Sequence, residues 1–214
     1  MTITALTITG IALMSALTAQ GAFVISQPNG DAFTGDRSRG FAFTPSVGMV
    51  DDPGPSTTTI DLTAISFWSG GVTTATTSDT SYLLIFSAKP STTSGSSVGL
   101  VGSSTNFFDL NPISNAPNGT QLTWTFNNLT LDYDTTYYAV FSSSNSATSA
   151  FGMRMQVANT SNPYTGGGAL DVSYNIVTNQ DYRFAATFTN PVPEPSAAIL
   201  GSLGMLALLR RRRD

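Results

Sequence analysis

The chain has 214 residues, 0 cysteines, 0 histidines, 10% charged residues and a net charge of −4. That composition excludes a disulfide scaffold, thiolate catalysis and cysteine-based metal sites, and it removes the commonest metal ligand and the usual general base. With no excess of basic residues, nucleic acid is not an expected partner.

Taken in order, residues 1–22 read as a secretory signal peptide. An apolar centre from Ile8 to Leu17 is followed by small residues, with Ala19 and Gly21 at the spacing of a cleavage site near Gly21 or Ala22. The positive charge usual at the start of such a leader is missing, since no Lys or Arg precedes Arg37.

Residues 23–191 form the body, which carries five basic and eleven acidic side chains, a formal charge of −6. It is long enough to bury one sizeable core, and no linker divides it. Helical periodicity is nearly absent, whereas the alternation of half-buried strands recurs. The clearest run is Leu122, Trp124 and Phe126 with Thr123 and Thr125 between them. Similar faces are formed by Phe41 and Phe43; Ile60, Leu62 and Ala64; Tyr82, Leu84 and Phe86; Tyr137, Ala139 and Phe141; Met153, Met155 and Val157; Leu170, Val172, Tyr174 and Ile176; and Tyr182, Phe184, Ala186 and Phe188. The phase change between Ala64 and Ile65 predicts a bulge. Asn29-Gly30, Gly70-Gly71, Asn118-Gly119 and Asn162-Pro163 are turn signals. Many strands joined by such turns predict an all-β, antiparallel β-sandwich of jelly-roll type.

No constellation for catalysis stands out in the body. The pairs Asp51–Asp52 and Asp132–Asp134 are read as turn residues rather than as calcium ligands, because calcium needs six to eight oxygens. Lys89 precedes Pro90 in a Ser/Thr/Gly-rich loop and reads as a solvated turn. No enzymatic activity, metal or cofactor is expected. Aromatic faces that stack on sugar rings are the remaining candidates. Trp124 aligns with Leu122 and Phe126 and belongs to the core, whereas Trp68 beside Ser69-Gly70-Gly71 and Tyr164 in the Asn-Pro-Tyr-Thr-Gly loop are the candidate glycan contacts.

The tail, residues 192–214, has three parts. Pro193 and Pro195 flank Glu194 in a segment that can neither join a sheet nor continue a helix. An uncharged run from Ser196 to Leu209 follows, and Arg210, Arg211, Arg212 and Arg213 close it. As a helix those fourteen residues reach only about 21 Å, short of the roughly 30 Å of bilayer hydrocarbon. The lack of a polar face and the basic flank nonetheless predict a short transmembrane helix with the arginines on the cytoplasmic side.

Motif, apolar run and arginine cluster in that order resemble the PEP-CTERM sorting signal of Gram-negative bacteria. The resemblance implies secretion machinery and an exosortase as partners, the latter reading Pro193, Glu194 and Pro195 and removing the tail. It implies transient anchoring in the inner membrane, residence in the envelope, at the cell surface or in the extracellular matrix, and association with exopolysaccharide of a biofilm. Leu129 to Phe141, a short strand, an acidic turn and a Thr-Tyr pair opening the next strand, resembles the choice-anchor domains of exported proteins, defined by architecture and sorting rather than by chemistry. The function expected is that of an exported structural protein of the envelope or matrix, with a carbohydrate-binding module for exopolysaccharide as the alternative.

Overall fold

The computed structural model of the protein describes residues 22–28, 32–33, 39–46, 49–50, 58–70, 80–109, 119–149, 152–158, 164–177 and 180–189. The leader through residue 21, the Pro193–Pro195 motif, the apolar run and Arg210 to Arg213 lie outside them, as do Asp51 and Asp52. Among the described residues there is no helix, and so none long and apolar enough to cross a membrane.

Fifteen strands follow one another: β1 (Ala22–Gln27), β2 (Ala32–Phe33), β3 (Gly40–Phe43), β4 (Met49–Val50), β5 (Thr59–Trp68), β6 (Thr80–Phe86), β7 (Leu100–Ser103) and β8 (Phe108–Asp109). After these come β9 (Gln121–Asp132), β10 (Tyr137–Ser142), β11 (Gln156–Ala158), β12 (Gly168–Leu170), β13 (Ile176–Val177), β14 (Asp181–Tyr182) and β15 (Phe184–Thr189). They build a first sheet in the order β4-β1-β15-β5-β9 and a second in the order β13-β12-β3-β10-β6-β7, with β8 also paired to β6. A small ladder β14-β11-β2 adjoins them. Every pairing among the named strands is antiparallel.

Period-2 alternation turns one face of each long strand into a shared core. From the first sheet come Phe23, Ile25, Ile65, Phe67, Leu122, Trp124, Phe126, Phe184, Ala186 and Phe188; from the second, Phe41, Phe43, Leu83, Ile85, Tyr137, Ala139 and Phe141. Aromatic rings bridge the two layers, with centroid separations of 4.2 Å for Phe41–Phe184, 5.4 Å for Phe67–Phe141 and 5.5 Å for Trp124–Phe141. Each such pair adds about 0.5–1.5 kcal/mol beyond its buried area. Trp124 is fully buried, and its indole N–H donates to the Ser81 carbonyl at 3.0 Å, so the polar edge of the ring is satisfied inside the core.

Three expectations change in detail. The core side of β6 is Leu83 and Ile85, not Tyr82, Leu84 and Phe86; Leu84 and Phe86 instead join Ala42, Val140, Leu170 and Tyr174 in a second cluster on the opposite face of that sheet. A strand buried on both faces reads as a continuous apolar run, and alternation cannot choose between its sides. Leu170 to Ile176 is not one strand. The Asp171 carboxylate accepts the backbone N–H groups of Ser173 at 2.7 Å and Asn175 at 2.9 Å, which folds the chain into a turn between β12 and β13 and leaves Val172 65% exposed. The irregularity in β5 falls between Leu62 and Ala64, just before the expected place, and the Thr63 hydroxyl there donates to the Thr187 carbonyl at 3.0 Å. The extra residue lets Ile60 and Leu62 and then Ile65 and Phe67 all reach the core.

The register fixes which end of the first sheet is which. Ala22 pairs with Thr189, so the chain enters through β1 and leaves through β15 at the same end. Gln27 pairs with Phe184, and Phe184 with Phe67, at the other end. Six residues of strand separate the two ends by about 20 Å.

Candidate functional site

Trp68 closes β5 at the end of the first sheet remote from Ala22 and Thr189. Since Phe67 faces the core, Trp68 turns to the opposite side, where it is half-buried. Arg183 follows the same logic between the core residues Tyr182 and Phe184. Its guanidinium carbon stands 4.5 Å from the centroid of the Trp68 ring, a cation–π contact. Its Nη1 donates to Gln156 Oε1 at 3.1 Å, and its backbone N–H donates to the Gln156 carbonyl at 2.9 Å. Arg154, two residues before Gln156, lies on the same side of that segment.

The floor of the cluster is hydrogen-bonded across strands. Trp68 pairs in register with Gln121, whose amide donates to the Ser66 hydroxyl at 3.1 Å, and Ser66 shares a 2.8 Å hydroxyl contact with Thr123. A turn at Gly119 caps the end: Gly119 donates to the Ser69 carbonyl and Ser69 to the Thr120 carbonyl, both at 2.8 Å. Gly119 holds φ +87°, a conformation that favours glycine, and the turn passes within van der Waals reach of the Gln156 amide.

Tyr164 is placed differently from what its loop sequence suggests. It is 4% exposed and packs on Phe41 and Phe184, so its ring is not presented to solvent. Its hydroxyl accepts the Thr44 N–H at 2.9 Å and donates to the Thr44 carbonyl at 3.1 Å, and burial pushes its pKa up to about 12. The Tyr164 N–H in turn donates to Asp181 at 3.0 Å, a carboxylate with no exposed surface whose pKa is raised to about 6 by desolvation. The two glycan candidates are therefore not brought together: Trp68 belongs to the Arg183 cluster and Tyr164 to the interior.

Asp134 adopts φ +62° in the turn between β9 and β10 and accepts a hydrogen bond from Ser46, while the Asp132 N–H donates to the Tyr137 hydroxyl at 2.7 Å. Asp134 thus acts in the turn through its carboxylate, whereas Asp132 ends β9 and contributes its backbone N–H. Among the described residues no three carboxylates converge. Lys89 donates to Asn175, beside a shallow cleft of about 530 Å³ lined by Ser, Thr and Gly with Val98 at its rim. That cleft holds neither an aromatic platform nor an acid–base pair, so the Trp68 cluster has the stronger chemistry.

One exposed aromatic pair was not anticipated. Phe107 is 52% exposed and stacks on Tyr82 at 5.3 Å, whereas the next residue, Phe108, turns inward onto Trp124 at 4.8 Å. The doublet Phe107-Phe108 at a strand start was the available signal, because adjacent residues face opposite sides. Arg183 and Gln156 were visible only as polar members of alternating runs, and nothing in their spacing announces that they meet.

Comparison of the chain with protein-family models, curated proteins and solved structures gives no match.

Proposed function

We propose that this is an exported, non-enzymatic structural protein of the cell envelope or extracellular matrix, delivered by a cleavable leader and a C-terminal sorting tail. The tail carries the reading: Pro193-Glu194-Pro195, the apolar run and Arg210 to Arg213 begin four residues after β15 ends at Thr189. In this reading an exosortase-like peptidase recognises the proline–glutamate–proline motif while the apolar segment holds the chain in the inner membrane. The pairing of Ala22 with Thr189 agrees with it, since a body whose two chain ends leave side by side can be held at one membrane face by both apolar segments.

The finer description of the body is a jelly roll. Its support is the strand order: β1, β15, β5 and β9 adjoin in one sheet, and β3, β10, β6 and β7 in the other. Along the chain, β1, β3, β5, β6, β7, β9, β10 and β15 visit the sheets in the sequence first, second, first, second, second, first, second, first, which is the double Greek-key winding of that fold.

Mass spectrometry of the protein recovered from envelope and extracellular fractions tests the sorting claim. The expected product lacks residues 1–22 and everything after the Pro193–Pro195 region. Recovery of intact Arg210 to Arg213 from the extracellular fraction overturns it. A second reading, binding of exopolysaccharide, is favoured by one observation: Trp68 and Arg183 form a stacked pair on the sheet face away from the core.

A further inference from the structure

Arg183 is a half-buried cation whose charge is met by no carboxylate among the described residues. Among the described residues its side-chain partners are neutral, Gln156 and the ring of Trp68. Its Nε has no hydrogen-bond partner and no exposed surface. Removing a guanidinium from water without a counter-charge costs stability, and a bound anion offsets that cost.

The guanidinium is also pre-oriented. The Trp68 ring fixes the plane and the bond to Gln156 Oε1 fixes the rotation about it. With Nε enclosed and one Nη1 hydrogen given to Gln156, the end of the guanidinium formed by Nη2 and the second Nη1 hydrogen is the rigid pair of donors that can meet a carboxylate. Trp68 stands between the Arg183 side of β5 and Gln121 on β9, whose amide donates to Ser66, and Arg154 is two residues from Gln156. Amide and indole are groups that hydrogen-bond and stack with a sugar ring. Elsewhere an acidic body repels a polyanion, so attraction has to be local.

We propose that this cluster is a site for an acidic polysaccharide, in which Arg183 takes a uronate carboxylate while Trp68 holds the guanidinium and gives its rim to the sugar ring. The inference rests on the exopolysaccharide reading above and narrows it to anionic chains. The position of the cluster agrees, because it lies about 20 Å of strand away from the end where Ala22 and Thr189 pair, at the pole a tethered body turns outward.

The experiment measures binding of the full 214-residue chain, purified in mild detergent, to polygalacturonate and to the same polymer fully methyl-esterified, which keeps the backbone and removes the charge. The expected result is binding to the acid at least tenfold tighter than to the ester, a change in Trp68 fluorescence on binding, and a tenfold or greater loss in Arg183→Ala with unaltered circular dichroism. Arg183→Lys, which keeps the charge but not the planar fork, is expected to fall between the two, and it replaces the alanine variant if that variant does not fold. Equal binding of acid and ester leaves the polysaccharide reading standing and overturns the anionic site. Undiminished binding by both Arg183 variants overturns the assignment to this cluster. Binding of neither polymer overturns both.

Discussion

Asp181 and Tyr164 are buried groups joined through the Tyr164 N–H, and each has a measurable consequence. Burial raises the Asp181 pKa to about 6, so between the ordinary carboxylate value and pH 6 the folded chain binds more protons than the unfolded one. Stability from this group is therefore fully present below about pH 4 and is lost as pH rises through 6. A shift of that size corresponds to a few kcal/mol at most, roughly 1.4 kcal/mol per unit. Asp181→Asn keeps an oxygen for the Tyr164 N–H and cannot ionise. Its melting temperature is expected to exceed that of the parent at pH 8, with the difference shrinking towards pH 4; a gain independent of pH would refute the assignment. Tyr164→Phe removes the hydroxyl that satisfies both backbone groups of Thr44, itself 8% exposed. The expected cost is about 1–3 kcal/mol in urea unfolding, with polysaccharide binding unchanged in the folded protein. A variant as stable as the parent would show that the Thr44 groups find other partners.

Strands meet most tightly where glycine allows it. A Cβ on Gly167 would fall 1.8 Å from the Ala42 carbonyl oxygen, which belongs to β3 and cannot move without disturbing that strand. A Cβ on Gly102 would meet the end of the Leu129 side chain at 2.7 Å, and that chain can rotate away. Gly167→Ala is therefore expected to lower the urea midpoint by the equivalent of about 1–3 kcal/mol, and Gly102→Ala by less; the reverse order would contradict the packing described. Such contacts mark the limit of what alternation reveals. Leu122 to Phe126 and Phe184 to Phe188 were legible as half-buried strands from their alternation, and the irregularity in β5 showed as a phase change, but the break at Arg183 that gives Tyr182 to β14 in the small ladder did not show. The run Ser81 to Phe86 was legible as a strand but not as to which side faces the core, since both sides are apolar and buried. Asp171 was hidden inside an apparently alternating run, where a carboxylate accepting two N–H groups reverses the chain. At the candidate site Trp68 was legible from the glycines beside it. Arg183, which stacks on it, and Gln156, which holds Arg183, are 115 and 88 positions away in sequence and are brought there by the pairing of distant strands.

At the scale of the whole molecule, the pairing of the first strand with the last determines how the body can be held. All six residues of β1 pair with all six of β15, and this ladder lies inside the first sheet, flanked by β4 and β5. Closing the two ends of the chain on each other is entropically expensive, and it is the step that the buried Phe23, Ile25, Phe184, Ala186 and Phe188 offset. The register can be tested by a crosslink. Val24 and Thr187 are direct partners on the face away from the core, and opposed residues of an antiparallel pair have Cα atoms about 4.5–5.5 Å apart, within the range a disulfide spans. The chain has 0 native cysteines, so Val24→Cys with Thr187→Cys can form only the intended bridge within one molecule. Oxidation of that variant is expected to remove two hydrogens by intact mass and to raise stability by about 2–4 kcal/mol, because the bridge closes a loop of about 160 residues. A control pairing Val24 with Ala185, two positions off register, is expected to crosslink poorly. Free thiols in the oxidised Val24–Thr187 variant would break the claim that entry and exit of the chain share one end, and with it the argument that Trp68 and Arg183 stand at the outward pole.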